Sequence, residues 1–178
     1  MGLRWYAGAV IAACALLWGM SSTGEERPVL LTGSGRIAGL EASVALRPDD
    51  PGATLALVQG YLDARQPGLA IALFDGALRA VRGDVRVQHA YARALIEAGR
   101  NDQALEAEDR VLDACHPLEE GRAAAPGCDR SLFASAVRRS GILRELVALG
   151  VQDAAAHPEA ARIAYRNATR EARVAILP

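Results

Sequence analysis

The chain has no lysine. All 20 of its basic residues are arginine, set against 21 acidic ones for a net charge of −1. No surplus of positive charge exists to hold a polyphosphate backbone, so nucleic acid is not an expected partner. Aromatic residues are scarce at 4%, although 51% of residues are hydrophobic. A core of Ala, Leu, Val and Ile suits helices that approach one another closely, and it suits a sheet sandwich poorly. Only three histidines and three cysteines occur. The histidines fall in no metal-binding or triad spacing, and the sequence lacks Gly-x-Ser-x-Gly, His-Glu-x-x-His and dinucleotide fingerprints. No catalytic residue, metal, cofactor or small-molecule substrate is therefore expected.

What is present begins with an apolar run. Arg4 gives a positive start, Trp5 to Met20 is uninterrupted by charge, and Glu25-Glu26 ends the stretch on the acidic side. This layout predicts a membrane-targeting segment over residues 1–24. Three fates are open. Leu3 to Met20 spans roughly 27 Å as a helix at about 1.5 Å per residue, enough for a retained anchor. Trp5, Tyr6 and Trp18 stand near its ends, where interfacial aromatics belong. The small residues Gly19 and Ser21 suit signal cleavage near Ser22, and Ile11-Ala12-Ala13-Cys14 resembles a lipobox. Each fate carries the rest of the chain across the inner membrane to the periplasmic side, because the positive flank stays behind. Residues 25–36, with Gly33-Ser34-Gly35, read as a flexible linker.

From residue 37 the pattern is helical, and from residue 51 it repeats. Tyr61, Ala70, Phe74, Ala77 and Leu78 recur 34 positions later as Leu95, Ala104, Glu108, Val111 and Leu112. Asp50-Pro51 starts one helix and Gln66-Pro67-Gly68 breaks to a second. Asp84 can cap a third, Gly99 ends it, and Asn101 or Asp102 opens a fourth. This period and punctuation resemble the tetratricopeptide repeat, a stack of antiparallel helix pairs. Ala70, Ala92 and Ala104 match its small crossing positions, and Phe74 its aromatic in the second helix. The match departs from the family at Thr54 and Gln88, where a Trp-like residue is usual, at Val58 for Gly, and at Glu108 for an aromatic.

The resemblance implies an all-α protein with two such hairpins over residues 37–116, an α-solenoid fragment. It also implies a protein or peptide partner, held on the concave face of the first helices. By family position that face carries Leu55, Gln59, Leu62 and Asp63, then Arg86, His89, Arg93 and Ile96. Arg86 and Arg93 lie two turns apart on one helix and offer planar donor forks for carboxylates, with Gln59 and His89 beside them.

Residues 129–178 read as helices that close the array. Leu132, Phe133, Ala136, Val137, Leu143, Leu146 and Val147 share one side, with Arg138, Arg139, Arg144 and Glu145 away from it. Ser140-Gly141 is expected to split this helix. His157-Pro158 starts a last one with Ala161, Ala164, Tyr165, Ala168, Ala172 and Ala175 on its apolar face. On this last helix Arg162, Arg166, Arg170 and Arg173 make a basic stripe. Cys115 and Cys128 bracket the loop 117–128, and in an exported chain they are expected to form a disulfide. A metal site at Cys115, His116 and Cys128 falls one ligand short of a structural zinc. Together these features describe a non-catalytic adaptor facing the periplasm. The alternative is an accessory subunit of a membrane complex, with a metal- or thiol-dependent protein as the third reading.

Overall fold

A computed structural model describes residues 31–118 and 123–174, with side chains described over 35–117 and 123–169. The chain divides into two units, Met1–Ser34 and Gly35–Pro178, and the packed hairpins belong to the second. The apolar run 5–20 and residues 25–30 of the expected linker lie outside the described residues. Among the described residues no helix is long and apolar enough to cross a membrane.

Helix α1 spans Leu31–Leu46, so residues 31–36 of the stretch read as a linker are helical. Ile37, Leu40 and Val44 recur at helical spacing and pack on the main core. The crossing is close at Gly60, where an added Cβ would come within 3.0 Å of Leu40 Cδ1. The Tyr61 hydroxyl donates to Glu41 Oε1 at 2.7 Å. Burial, and then the Glu41 carboxylate beside it, push the Tyr61 phenol up to about 12.

Two hairpins follow in 34-residue register. Helix α2 is Pro51–Asp63 and α3 is Pro67–Gly76. After a one-turn helix α4, Arg79–Arg82, come α5 at Val85–Glu97 and α6 at Asn101–Cys115. Both first helices start alike, because Asp50 accepts from the Gly52 amide and Asp84 from those of Arg86 and Val87. They also end alike. The Gln66 amide reaches back to the Tyr61 carbonyl at 2.8 Å, and the Arg100 amide to Leu95 at 2.9 Å. The turning residue is left-handed in each, Gly99 at φ 72° and Arg65 at φ 58°. Only the first of these is a residue for which that conformation is free of strain.

The second helices differ. Helix α3 stops at Gly76, and Ala77 and Leu78 are extended, whereas α6 continues through Val111 and Leu112. Leu78 is thus half exposed and is not the packing counterpart of Leu112 that the repeat pattern implied. The small residues at the crossings, Ala70, Ala92 and Ala104, are wholly buried, which lets the helices close on Leu62, Leu95 and Val58. Phe74 stacks on Tyr91 with ring centroids 3.8 Å apart.

The C-terminal helices form a third hairpin with the same punctuation. Helix α7, Arg130–Ala148, is capped by Asp129, which accepts from the Ser131 and Leu132 amides, each at 2.8 Å. It ends with the Val151 amide on the Leu146 carbonyl and Gly150 at φ 70°. Helix α8 is Pro158–Val174. Helix α7 is not split at Ser140-Gly141. The Ser140 hydroxyl donates to Asp109 at 3.0 Å, and Gly141 marks a close crossing, 3.3 Å from where a Cβ would meet Ala168. Two further expectations fail here. Val137 is exposed while Arg139 turns inward, and Tyr165 is exposed while Ala164 and Ala168 make the buried face of α8.

Between α6 and α7 the chain makes a 3-10 turn, His116–Leu118. The sulfurs of Cys115 and Cys128 stand 2.01 Å apart with Cα atoms at 5.6 Å. Around them Val85, Val111 and Ala136 form a second core cluster.

Candidate functional site

The first helices of all three hairpins line one groove of about 420 Å³. Helix α2 contributes Leu55, Gln59 and Leu62, and α5 contributes Arg86, His89 and Arg93. Helix α7 adds Ser131, Ser135 and Arg139 on the far wall. The structure therefore brings the four sequence-derived contact residues, Gln59, Arg86, His89 and Arg93, to one concavity. Asp63 and Ile96 do not line it; Ile96 faces a different cavity, beside Arg65 and Asp153.

The two expected anchors arrive already paired. Arg86 holds its own helix cap, with Nη2 on Asp84 Oδ2 at 2.8 Å and Nε on Oδ1 at 3.2 Å. Burial works against the charge of Asp84, yet the side-chain and backbone hydrogen bonds of Arg86 outweigh it and hold the carboxyl below its usual range. Gly127 backs Arg86 closely, since a Cβ there would come within 3.0 Å of Nε. Arg93 pairs with Glu97 one turn on, at 2.9 Å. Both arginines remain about half exposed, at 46% and 48%. Exposed pairs of this kind contribute about 0–1 kcal/mol, so an incoming carboxylate can share or replace the local one.

The wall of the groove holds what the sequence reading did not identify. Glu108, the residue in the family's aromatic position, is fully buried on α6. Arg139 of α7 donates to Glu108 Oε1 at 2.7 Å and to the His89 carbonyl at 2.9 Å. His89 Nδ1 lies 2.9 Å from Glu108 Oε2, and Nε2 lies 3.2 Å from the Ser135 hydroxyl. A carboxylate paired with a guanidinium can only accept, which places the imidazole proton on Nδ1 and lets Nε2 accept from Ser135. The order hydroxyl, imidazole, carboxylate matches that of a nucleophilic relay. Ser135 sits inside α7, however, where backbone amides are committed to the helix and leave no backbone pair for an oxyanion. The network instead fastens the third hairpin to the second. A signal for it was in the sequence, because a carboxylate in an aromatic core position requires a cation.

Among the described residues no group of three or more His, Cys, Asp or Glu side chains is placed to hold a metal ion. Three helix pairs with a groove along their first helices define a helical-repeat scaffold of the kind that binds other proteins. Residues 61–114 match the tetratricopeptide repeat family, and this stretch of the chain is a divergent tetratricopeptide repeat. That repeat is a protein–protein interaction module and typically carries no catalysis. Neither curated proteins nor solved structures gave a match to the chain.

Proposed function

We propose that the chain is a non-catalytic adaptor whose groove holds a carboxylate-bearing peptide or protein segment on the outer side of the bacterial inner membrane. The observation that carries this reading is the convergence of Gln59, Arg86, His89 and Arg93, two hairpins' worth of polar side chains, on one concavity. The buried network behind His89 fixes the third wall, so the groove has a set width before any partner arrives. Such pre-ordering lowers the cost of binding.

The apolar run Trp5–Met20 and the charge asymmetry about it support placement outside the cytoplasm. Cys115 and Cys128 fit the same placement, since an oxidising compartment would keep them bonded. Their Cα separation of 5.6 Å is that of disulfides in general. A bond here would pin the loop that backs Arg86 through Gly127.

The test is a pair of variants of the full chain in its native membrane, with a photo-crosslinker placed at Gln59. Arg86→Ala with Arg93→Ala should abolish crosslinks at Gln59 and leave the helical signal unchanged. Continued crosslinking by that double variant refutes the groove reading. A cytoplasm-dependent reporter fused after Pro178 should be silent, and its activity would overturn the topology. The alternative, an accessory subunit docking through its last helix, draws on the exposed Ile163 and Tyr165 of α8. It gains if Ile163→Ser with Tyr165→Ser releases neighbours that the groove variants retain.

A further inference from the structure

A second cleft of about 340 Å³ opens on the opposite side of α5 from the groove. Its rim carries Arg79 and Arg82 of α4 and Arg110 of α6, and its wall carries Gln88 and Tyr91 of α5. The positions on α5 show why the two sites are separate. Residues 86, 89 and 93 face one way, and residues 88 and 91 fall about half a turn round the helix.

The three rim arginines differ from those that line the groove. Arg86, Arg93 and Arg139 each close an ion pair. Arg79, Arg82 and Arg110 close none among the described residues, although all three edge one cleft. Like charges brought together repel, and among the described residues no ion pair of these three arginines offsets that repulsion. Asp75, the partner of Tyr91 in the cleft wall, accepts from the Tyr91 hydroxyl at 3.4 Å.

A second observation points to a ligand. Gln88 donates its Nε2 hydrogen to the Arg82 carbonyl at 2.6 Å, which fixes the amide's orientation. Its Oε1 is then buried and has no hydrogen-bond donor. A buried acceptor left in this state costs about 1–3 kcal/mol. An N–H entering from the cleft would satisfy it once the Gln88 side chain turned to expose that oxygen. Beside the arginines, Leu78 is half exposed on the extended break between α3 and α4.

We propose that this cleft docks an acidic peptide segment of a partner protein. Its carboxylates would meet the three guanidinium forks, a backbone N–H would fill Gln88 Oε1, and an apolar residue would cover Leu78. A peptide alone offers carboxylates, amide donors and an apolar side chain on one strand, whereas a free anion offers only the charge. Planar forks suit carboxylates in pairs. The proposal does not depend on the groove, so one chain can hold two segments at once.

The experiment uses the full chain in detergent and fluorescein-labelled hexaglutamate followed by anisotropy, with hexaserine as the control peptide. The unaltered chain should bind hexaglutamate and not hexaserine. In a chain already carrying Arg86→Ala and Arg93→Ala, so that the groove takes no share of the peptide, Arg79→Ala, Arg82→Ala and Arg110→Ala together should weaken binding about tenfold or more, the scale of lost charge-assisted contacts. Arg86→Ala with Arg93→Ala alone removes the groove's share of the peptide and should leave saturable binding at the cleft, because that pair lies on the other face. Replacing the three by Lys, which keeps the charge but not the fork, should give an intermediate loss and guards against a folding artefact. Failure of the unaltered chain to bind the peptide overturns the proposal, as does equal binding by the triple Ala variant. So does complete loss of peptide binding in the groove variant alone. Inorganic phosphate competing as well as the peptide would make the cleft a small-anion site. Sedimentation with anionic vesicles that fails only in the triple variant, with peptide binding intact, would make it a lipid contact.

Discussion

Glu108 is the residue at which this fold is most open to a quantitative challenge. Its carboxylate is fully buried and takes hydrogen bonds from His89 at 2.9 Å and Arg139 at 2.7 Å. Replacing it by Ala removes one partner of a buried ion pair, a change that costs about 3–5 kcal/mol in comparable sites. The guanidinium of Arg139 keeps a quarter of its surface in water, at 24%, and can relax into the groove. The expected cost is therefore near the lower end, about 3 kcal/mol. For a chain of this length that corresponds to a fall in Tm of roughly 10 °C, read by far-UV circular dichroism. The companion variant decides the cause. Glu108→Met with Arg139→Met removes both charges and keeps the volume, so it should come back to within about 1 kcal/mol of the native chain. If Glu108→Ala costs less than about 1 kcal/mol, or the double variant is as unstable as the single one, the charge network does not hold the third hairpin.

Other expectations follow from separate parts of the fold. Tyr61 titrates near 10 when unfolded and about 12 when folded, so the stability it contributes is complete below pH 10 and is lost as pH rises toward 12. Denaturant midpoints measured across that window should fall less steeply for Tyr61→Phe than for the native chain. Arg65 is left-handed where the next hairpin has Gly99. Arg65→Gly should raise stability by about 0.5–1 kcal/mol in urea unfolding, and Gly99→Ala should lower it by about 1 kcal/mol. In protein alkylated directly from the envelope without reductant, Cys115 and Cys128 should both escape the reagent. Cys128→Ser should then cost about 3 kcal/mol, and two free thiols would refute the bond.

The hairpins were legible because their signals are local. A capping Asp, a proline in the first turn and a turning Gly or polar pair are each set by neighbours within a few residues, and the capping Asp recurs at one interval, from Asp50 to Asp84. The third hairpin uses the same signals at Asp129 and Gly150, but the loop before it and its longer first helix break the interval. It was read as a pair of closing helices for that reason. The groove positions on α2 and α5 followed from the repeat. The fourth side of the site did not, because Glu108 and Arg139 gain meaning only from each other across two hairpins. Gly141 misled in a similar way: small residues mark helix breaks and close crossings alike, and only the position of Ala168 tells them apart.

The pairing of Glu108 with Arg139 also limits how such an array can grow. Arrays of this kind lengthen when a unit is copied in tandem. A copy of the second hairpin placed directly after the second would set its own first helix against α6. Counted from the capping aspartate, the residue that stands at Arg139 in α7 is Ala94 in α5 and Gly60 in α2. A duplicated hairpin would bring an alanine to a buried carboxylate and leave the charge without its cation. The array accepts one successor and rejects copies of its own units. The order of its second and third hairpins is written in a single ion pair.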